Sequence, residues 1–242
     1  SSKSLMSFNN ISFILHQPQL SENIGACARA IKNFNFKKLV IINPKPTYPN
    51  DKILATSVGA KDIVTNSKVY ENLEHAVKKV DYVIATSTRF RNKNIKHIKL
   101  KDLIKIDFSK KVAFLFGSEA SGLSNNEISY ANYTMQIPSN PEFRSLNLSH
   151  SVILIAYTVA NIIKLKSSKF LKSKKVSSAS KRDIQALTNL CIKKLDEKNF
   201  FKQLEKKPKM LENLRSIFYK MELSEKETRI LSSVFASLAK KG

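Results

Sequence analysis

Short apolar runs rich in β-branched residues recur along the chain, at 11–15, 39–42, 82–85, 112–116 and 133–137. Stretches with the 3.6-residue apolar spacing of helices lie between them, among them 24–34, 73–80 and 126–131. Strands alternating with helices call for an α/β fold, a mostly parallel sheet covered on both faces. A longer apolar helix follows, from about 148 to 165, with Val152, Ile155, Ala156, Val159 and Ile163 on one face. No apolar run is expected to reach the length of a membrane span, and no signal-peptide stretch is read at the start.

Past that helix the composition changes. Residues 167–180 are polar, cationic and poor in core residues, which reads as a linker. Three further helices are expected over 181–198, 209–221 and 224–240. Ser224 and Glu227 have the spacing of a capping box, in which hydroxyl and carboxylate satisfy the orphan amides of a helix start. The expected organisation is a sheet domain over 1–166, the linker, and a helical extension over 181–242. Residues 1–5, ahead of Met6, are either native or a remnant.

Charge points to a partner. The chain of 242 residues carries 42 Lys and Arg against 19 Asp and Glu, a formal charge of +23. Residues 164–242 hold +13 of it in a third of the length. Cations that neutralise phosphates release condensed counterions, so a nucleic acid is the expected polyanion, while plain solvated lysines are the alternative. Cys27 and Cys191 offer neither a disulfide framework nor zinc-ligand spacing, and no His, Cys or carboxylate cluster indicates a metal. The expected setting is reduced and cytoplasmic.

Chemistry concentrates in three blocks, each after a strand. The first runs from Asn23 through Gly25 to Arg29. Asn23 is either a helix N-cap or a ligand-facing amide. Arg29, among Ala26, Ala28, Ala30 and Ile31, either snorkels to solvent or faces a ligand. The second block is Gly117-Ser118-Glu119-Ala120-Ser121-Gly122, either an ordinary strand-to-helix turn with Ser124 or Asn125 as cap, or a loop whose glycines let a ligand approach the backbone. The third joins Ile137-Pro138 to Arg144-Ser145-Leu146-Asn147-Leu148-Ser149. None of these is a G-x-G-x-x-G or Walker loop.

In this order the blocks resemble the three motifs of the SpoU branch of the SPOUT RNA methyltransferases, over residues 11–163. That resemblance implies a SPOUT fold whose C-terminal part forms a trefoil knot, and methyl transfer from S-adenosylmethionine (SAM) to a ribose 2′-hydroxyl of RNA, leaving S-adenosylhomocysteine. Arg29 matches the family's principal catalytic residue. Asn23, Glu119, Asn147 and Ser145 are carried over as its companions. Donor-binding positions implied by the resemblance are Thr86, Ser87, Thr88, Gly117, Ile137, Arg144, Ser145 and Leu146, with no metal.

The segment from Leu214 to Leu231 further resembles the helical extension of the TrmJ group, which methylates the pyrimidine at position 32 of the tRNA anticodon loop. Other tRNA or ribosomal RNA sites, or a non-catalytic RNA binder on this scaffold, are the alternatives. Relatives are homodimers, so a dimer is expected, through the 152–163 helix if that helix is not core. Candidate RNA contacts are Arg89, Arg91, Lys174, Lys175, Lys181 and Arg182. DNA and membrane partners are not expected. His16 is expected to be structural.

Overall fold

The computed structural model describes residues 7–87, 94–168 and 178–238. The strands are β1 (Ile11–His16), β2 (Lys38–Ile42), β3 (Lys68–Tyr70), β4 (Tyr82–Thr86), β5 (Lys96–Lys99), β6 (Val112–Phe116) and β7 (Tyr133–Gln136). They form one sheet in the order β3-β2-β1-β6-β4-β7-β5, with every pairing parallel. The helices are α1 (Ser21–Asn33), α2 (Asp51–Thr56), α3 (Lys61–Thr65), α4 (Leu73–Val77), α5 (Asn125–Ile128), α6 (Leu148–Ser168), α7 (Lys181–Glu197), α8 (Lys207–Lys220) and α9 (Glu225–Leu238).

Strand β6 is buried along its whole length, as its unbroken Val-Ala-Phe-Leu-Phe run requires. Alternate side chains feed two cores. Phe13, Leu15, Phe114 and Phe116 meet α1 and α6 on one face. Ile14, Ala113 and Leu115 meet α4 and α5 on the other. The edge strands β3 and β5 were not anticipated, because lysines flank their few apolar residues. Charged residues on an edge strand also discourage pairing with another chain.

Helix α6 is 21 residues long, and over Leu148–Ser167 it is apolar enough to cross a bilayer by length and composition. The expectation that no run reached this length is therefore corrected. Its reason is packing: Val152, Ile155, Ala156 and Val159 are fully buried against the sheet, so this is a core helix. The same burial removes these residues from any dimer face. Leu154, at 41% exposure, and Tyr157, at 55%, lie outside that core.

The helical extension is fastened to the sheet domain. Its own core joins Ile184 and Leu187 of α7 to Phe218, Tyr219 and Leu223. The backbone amides of Lys181 and Arg182 donate to the carbonyls of Val80 and Lys78 at 2.8 and 2.6 Å. Asn132 Nδ2 donates to the Tyr219 carbonyl at 2.7 Å, and the Arg215 guanidinium lies 4.3 Å from the Tyr130 ring centre. Ser180 and Asp183 form a capping box that starts α7, and Ser224 and Glu227 form another before α9.

That docking overturns one expected RNA contact. Lys181 is 1% exposed, with its ammonium 5.0 Å over the Tyr219 ring. Burial pulls its pKa down to about 7, against the opposing influence of Asp81. Successive helical residues point about 100° apart, so Arg182 remains exposed while Lys181 turns into the junction.

Candidate active site

The carboxyl ends of β1, β4, β6 and β7 open onto one side of the sheet, where ligands of parallel α/β folds bind. Helix α1 begins at Ser21 with Leu20 as its N-cap, so the N-cap reading of Asn23 is corrected. Asn23 lies in the first turn, 7% exposed, and its amide is free for other partners. Gly25 serves packing. A Cβ there would sit 2.0 Å from Thr56 Oγ1 and 2.6 Å from the Ile53 carbonyl, so only glycine lets the end of α2 close on α1.

Glu119 ties the blocks together. Its carboxylate accepts from the backbone amides of Gln19 at 2.8 Å and Leu20 at 3.1 Å. Asn23 Nδ2 donates to the same carboxylate at 3.1 Å. Because Glu119 is already receiving backbone donors, it presents only acceptor capacity, and this fixes the orientation of the Asn23 amide. Asn23 Oδ1 must then accept, which it does from Asn147 Nδ2 at 3.0 Å. Asn147 Oδ1 in turn accepts from the Ser149 amide at 2.9 Å and its hydroxyl at 2.6 Å. A single polarity runs from Glu119 out to the start of α6. Ser149, which the sequence reading placed in its motif but gave no role, ends this line.

Beside it lies a cavity of about 310 Å³. Thr86, Ser87, Gly117, Ile137, Arg144, Ser145 and Leu146 all line it. Phe116, Met135 and Leu148 add apolar wall, while Ser118 and Ser121 of the second block, given no role from sequence, and the unanticipated Ser151 add hydroxyls. Gly122 closes the loop with φ +65°, and its amide donates to the Ser118 carbonyl at 2.9 Å. Gly117 lies so close that a Cβ would fall 2.3 Å from the Gly122 carbonyl carbon. Arg144 is braced by Nε donating to the Pro141 carbonyl at 3.0 Å. Ser124 caps α5, resolving the Ser124 or Asn125 alternative.

Arg29 is not brought to this cavity within one chain. It lies on an exposed position of α1, and among the described residues its guanidinium has no hydrogen-bond or ion-pair partner. Thr88, Arg89, Arg91, Lys174 and Lys175 lie outside the described residues. His16 is buried, 3.5 Å from Glu127, and burial lowers its pKa despite that carboxylate. Cys27 is wholly buried, which pushes its thiol far above the ordinary range and leaves it a packing residue. Among the described residues no cluster of His, Cys, Asp or Glu could hold a metal ion.

An all-parallel sheet with its cavity built from the loops after β4, β6 and β7 is an α/β ligand-binding architecture. The SpoU rRNA methylase family matches residues 10–157, and the chain belongs to that family. Over nearly its whole length it is TrmJ-like. It is 33% identical over 236 residues to the tRNA (cytidine-2′-O-)-methyltransferase TrmJ of Methanocaldococcus jannaschii, covering 93% of this chain and 98% of that one. The tRNA (cytidine/uridine/adenosine-2′-O-)-methyltransferase TrmJ of Pseudomonas aeruginosa is 29% identical over 230 residues, 90% of this chain and 89% of its own. The crystal structure of TrmJ from Z. mobilis ZM4 superposes with a TM-score of 0.83 at 28% identity, covering 95% of this chain and 99% of that one.

Proposed function

We propose that this chain moves a methyl group from SAM to the ribose 2′-hydroxyl of a pyrimidine at position 32 in the tRNA anticodon loop. The observation that carries this reading is the Glu119–Asn23–Asn147 line, which joins all three blocks at the rim of a cavity sized for a nucleoside. The names of the TrmJ relatives, and an extension that matches theirs along its length, support tRNA; the Methanocaldococcus jannaschii relative's name supports a pyrimidine, while that of the Pseudomonas aeruginosa relative includes adenosine as well.

The cavity fits the methyl donor. Its apolar wall suits a purine, its hydroxyls suit a ribose, and the Gly117–Gly122 approach leaves backbone rather than side chain against the ligand. When bound, SAM supplies a methyl group on a sulfonium already activated for displacement. The protein's tasks are alignment and stabilisation of the developing alkoxide. Asn147 and Asn23, held in one orientation by Glu119, are suited to position the ribose. A guanidinium is too weak an acid to serve as a general base, so the role that fits Arg29 is that of a cation toward the alkoxide or an adjacent phosphate.

Because Arg29 lies away from its own chain's cavity, the proposal includes a homodimer in which it completes the partner subunit's site. Leu154 and Tyr157 give α6 exposed apolar surface for such a contact.

Gly117→Ala tests the cavity. The added carbon must push the Gly122–Leu123 backbone aside, at a cost of about 1–3 kcal/mol. SAM affinity measured by titration calorimetry is expected to fall on the order of tenfold or more; unchanged affinity would place the donor elsewhere. A second reading is methylation of ribosomal RNA, which the family's description names. Incubation with methyl-labelled SAM and total RNA, followed by size fractionation, separates the two. Label is expected in the tRNA fraction; label in ribosomal RNA alone supports the second reading.

A further inference from the structure

The amino ends of the strands, opposite the cavity, carry a belt of cations drawn from distant parts of the sequence. Ser12 pairs with Lys38 and with Ala113, and Val40 pairs with Lys68. Side chains alternate between faces with period two, so Lys38, Lys68 and Lys111 share the face that carries the α4 core. All three are exposed. The Lys38 ammonium is held below the usual lysine range by partial burial and by Lys111 and Lys68 beside it.

The belt continues across the next strand. The Lys111 carbonyl receives the amides of Asp81 and Tyr82, and the Lys78 carbonyl receives that of Arg182. Five strands at about 4.8 Å spacing make this edge on the order of 20 Å wide. Asp81, just before β4 at one end of this edge, accepts the Lys111 amide at 2.9 Å. Among the described residues, Lys38, Lys68, Lys78, Lys111 and Arg182 make no ion pair, whereas lysines such as Lys32, Lys194 and Lys207 do. Like charges gathered without ion-pair partners cost free energy that a polyanion would offset.

We propose that this amino-edge belt is a second RNA-binding surface, which grips phosphates of the tRNA body remote from the nucleotide being methylated. Strand β6 connects Lys111 at the belt to Gly117 at the cavity, a rise of about 20 Å at 3.3 Å per residue. The belt therefore cannot touch the target nucleotide of the same site, and it contributes affinity and orientation, not chemistry. The identity of the RNA rests on the functional reading above.

The test uses the full chain carrying K38Q, K68Q and K111Q together, against a charge-matched control with K61Q, K101Q and K226Q. Equilibrium binding to tRNA is measured from low to moderate salt. Loss of up to three phosphate contacts is expected to flatten the log–log salt dependence by about 2 units, since each contact contributes about 0.7–0.9. The control should leave the slope near that of the unmodified chain. For turnover, KM for whole tRNA should rise severalfold with kcat unchanged. Slopes that match between belt variant and control, or between belt variant and unmodified chain, overturn the belt. The binding arm decides this irrespective of turnover; failure of the unmodified chain to methylate tRNA would count against the functional reading alone.

Discussion

Arg29→Ala is expected to lower methyl transfer by on the order of 10³-fold while SAM affinity stays within about twofold. The first half follows from charge. A preorganised cation facing a developing oxyanion contributes about 10²–10³-fold or more, because it needs no reorganisation when the charge appears. The second half follows from position, since Arg29 does not line the cavity and braces no residue that does. Arg29→Lys should recover part of the rate, as it keeps the charge and loses the planar fork. Single-turnover kinetics with tRNA and calorimetry with SAM check both halves. Retained turnover in the alanine variant would remove Arg29 from the chemistry. Lost SAM affinity would make it a donor-binding residue. A mixture of Arg29→Ala chains with chains carrying Gly117→Ala should regain activity if each site borrows Arg29 from its partner subunit.

Lys181→Met is expected to stabilise the chain by about 1–4 kcal/mol near neutral pH, the range for replacing buried ionic groups by apolar ones. That corresponds to a rise in Tm of roughly 2–4 °C per kcal/mol for a chain of this size. Lys181 is buried at the junction between sheet domain and extension, facing Asp81, Tyr82, Tyr219 and Glu222. Its folded pKa of about 7 lies below the ordinary lysine value of 10.5. Between these values the unfolded chain binds the proton and the folded chain does not, so stability rises with pH across that window. The full benefit is present above about 10.5 and is lost as pH falls through about 7. In Lys181→Met this rise between pH 7 and 10 should largely disappear. Denaturant melts at several pH values measure it; a destabilised methionine variant with an unchanged pH profile would mean that Lys181 is held by a counter-charge rather than merely buried.

The fold was legible where burial is two-sided. Strand β6 is an unbroken apolar run, and β1 nearly so over Ile11–Leu15 with Ser12 its one break, because both faces are covered. Strands β3 and β5 escaped notice because an edge strand satisfies half its hydrogen bonds with solvent and tolerates lysines. Helices α2 and α3 are too short to show a period. At the site, the residue types of the three blocks were visible, but their joining was not. Asn23 lies 96 positions from Glu119 and 124 from Asn147, and only the return of the chain beside β1 brings the amides together. Lys181 shows the opposite failure. A Lys-Arg pair after a basic stretch reads as one charged surface, whereas tertiary packing split it into a buried and an exposed half. The amino-edge belt was invisible for the same reason, since Lys38, Lys68, Lys78, Lys111 and Arg182 come from five separate segments.

The central claim is the identity of the methylated atom. The most direct measurement is incubation of the chain with SAM and total tRNA, then mapping of 2′-O-methyl groups at nucleotide resolution. The account predicts a new 2′-O-methyl group on the pyrimidine at position 32 of the anticodon loop, absent with Arg29→Ala. A methyl group at another position, on a base atom, or on no RNA at all would contradict it.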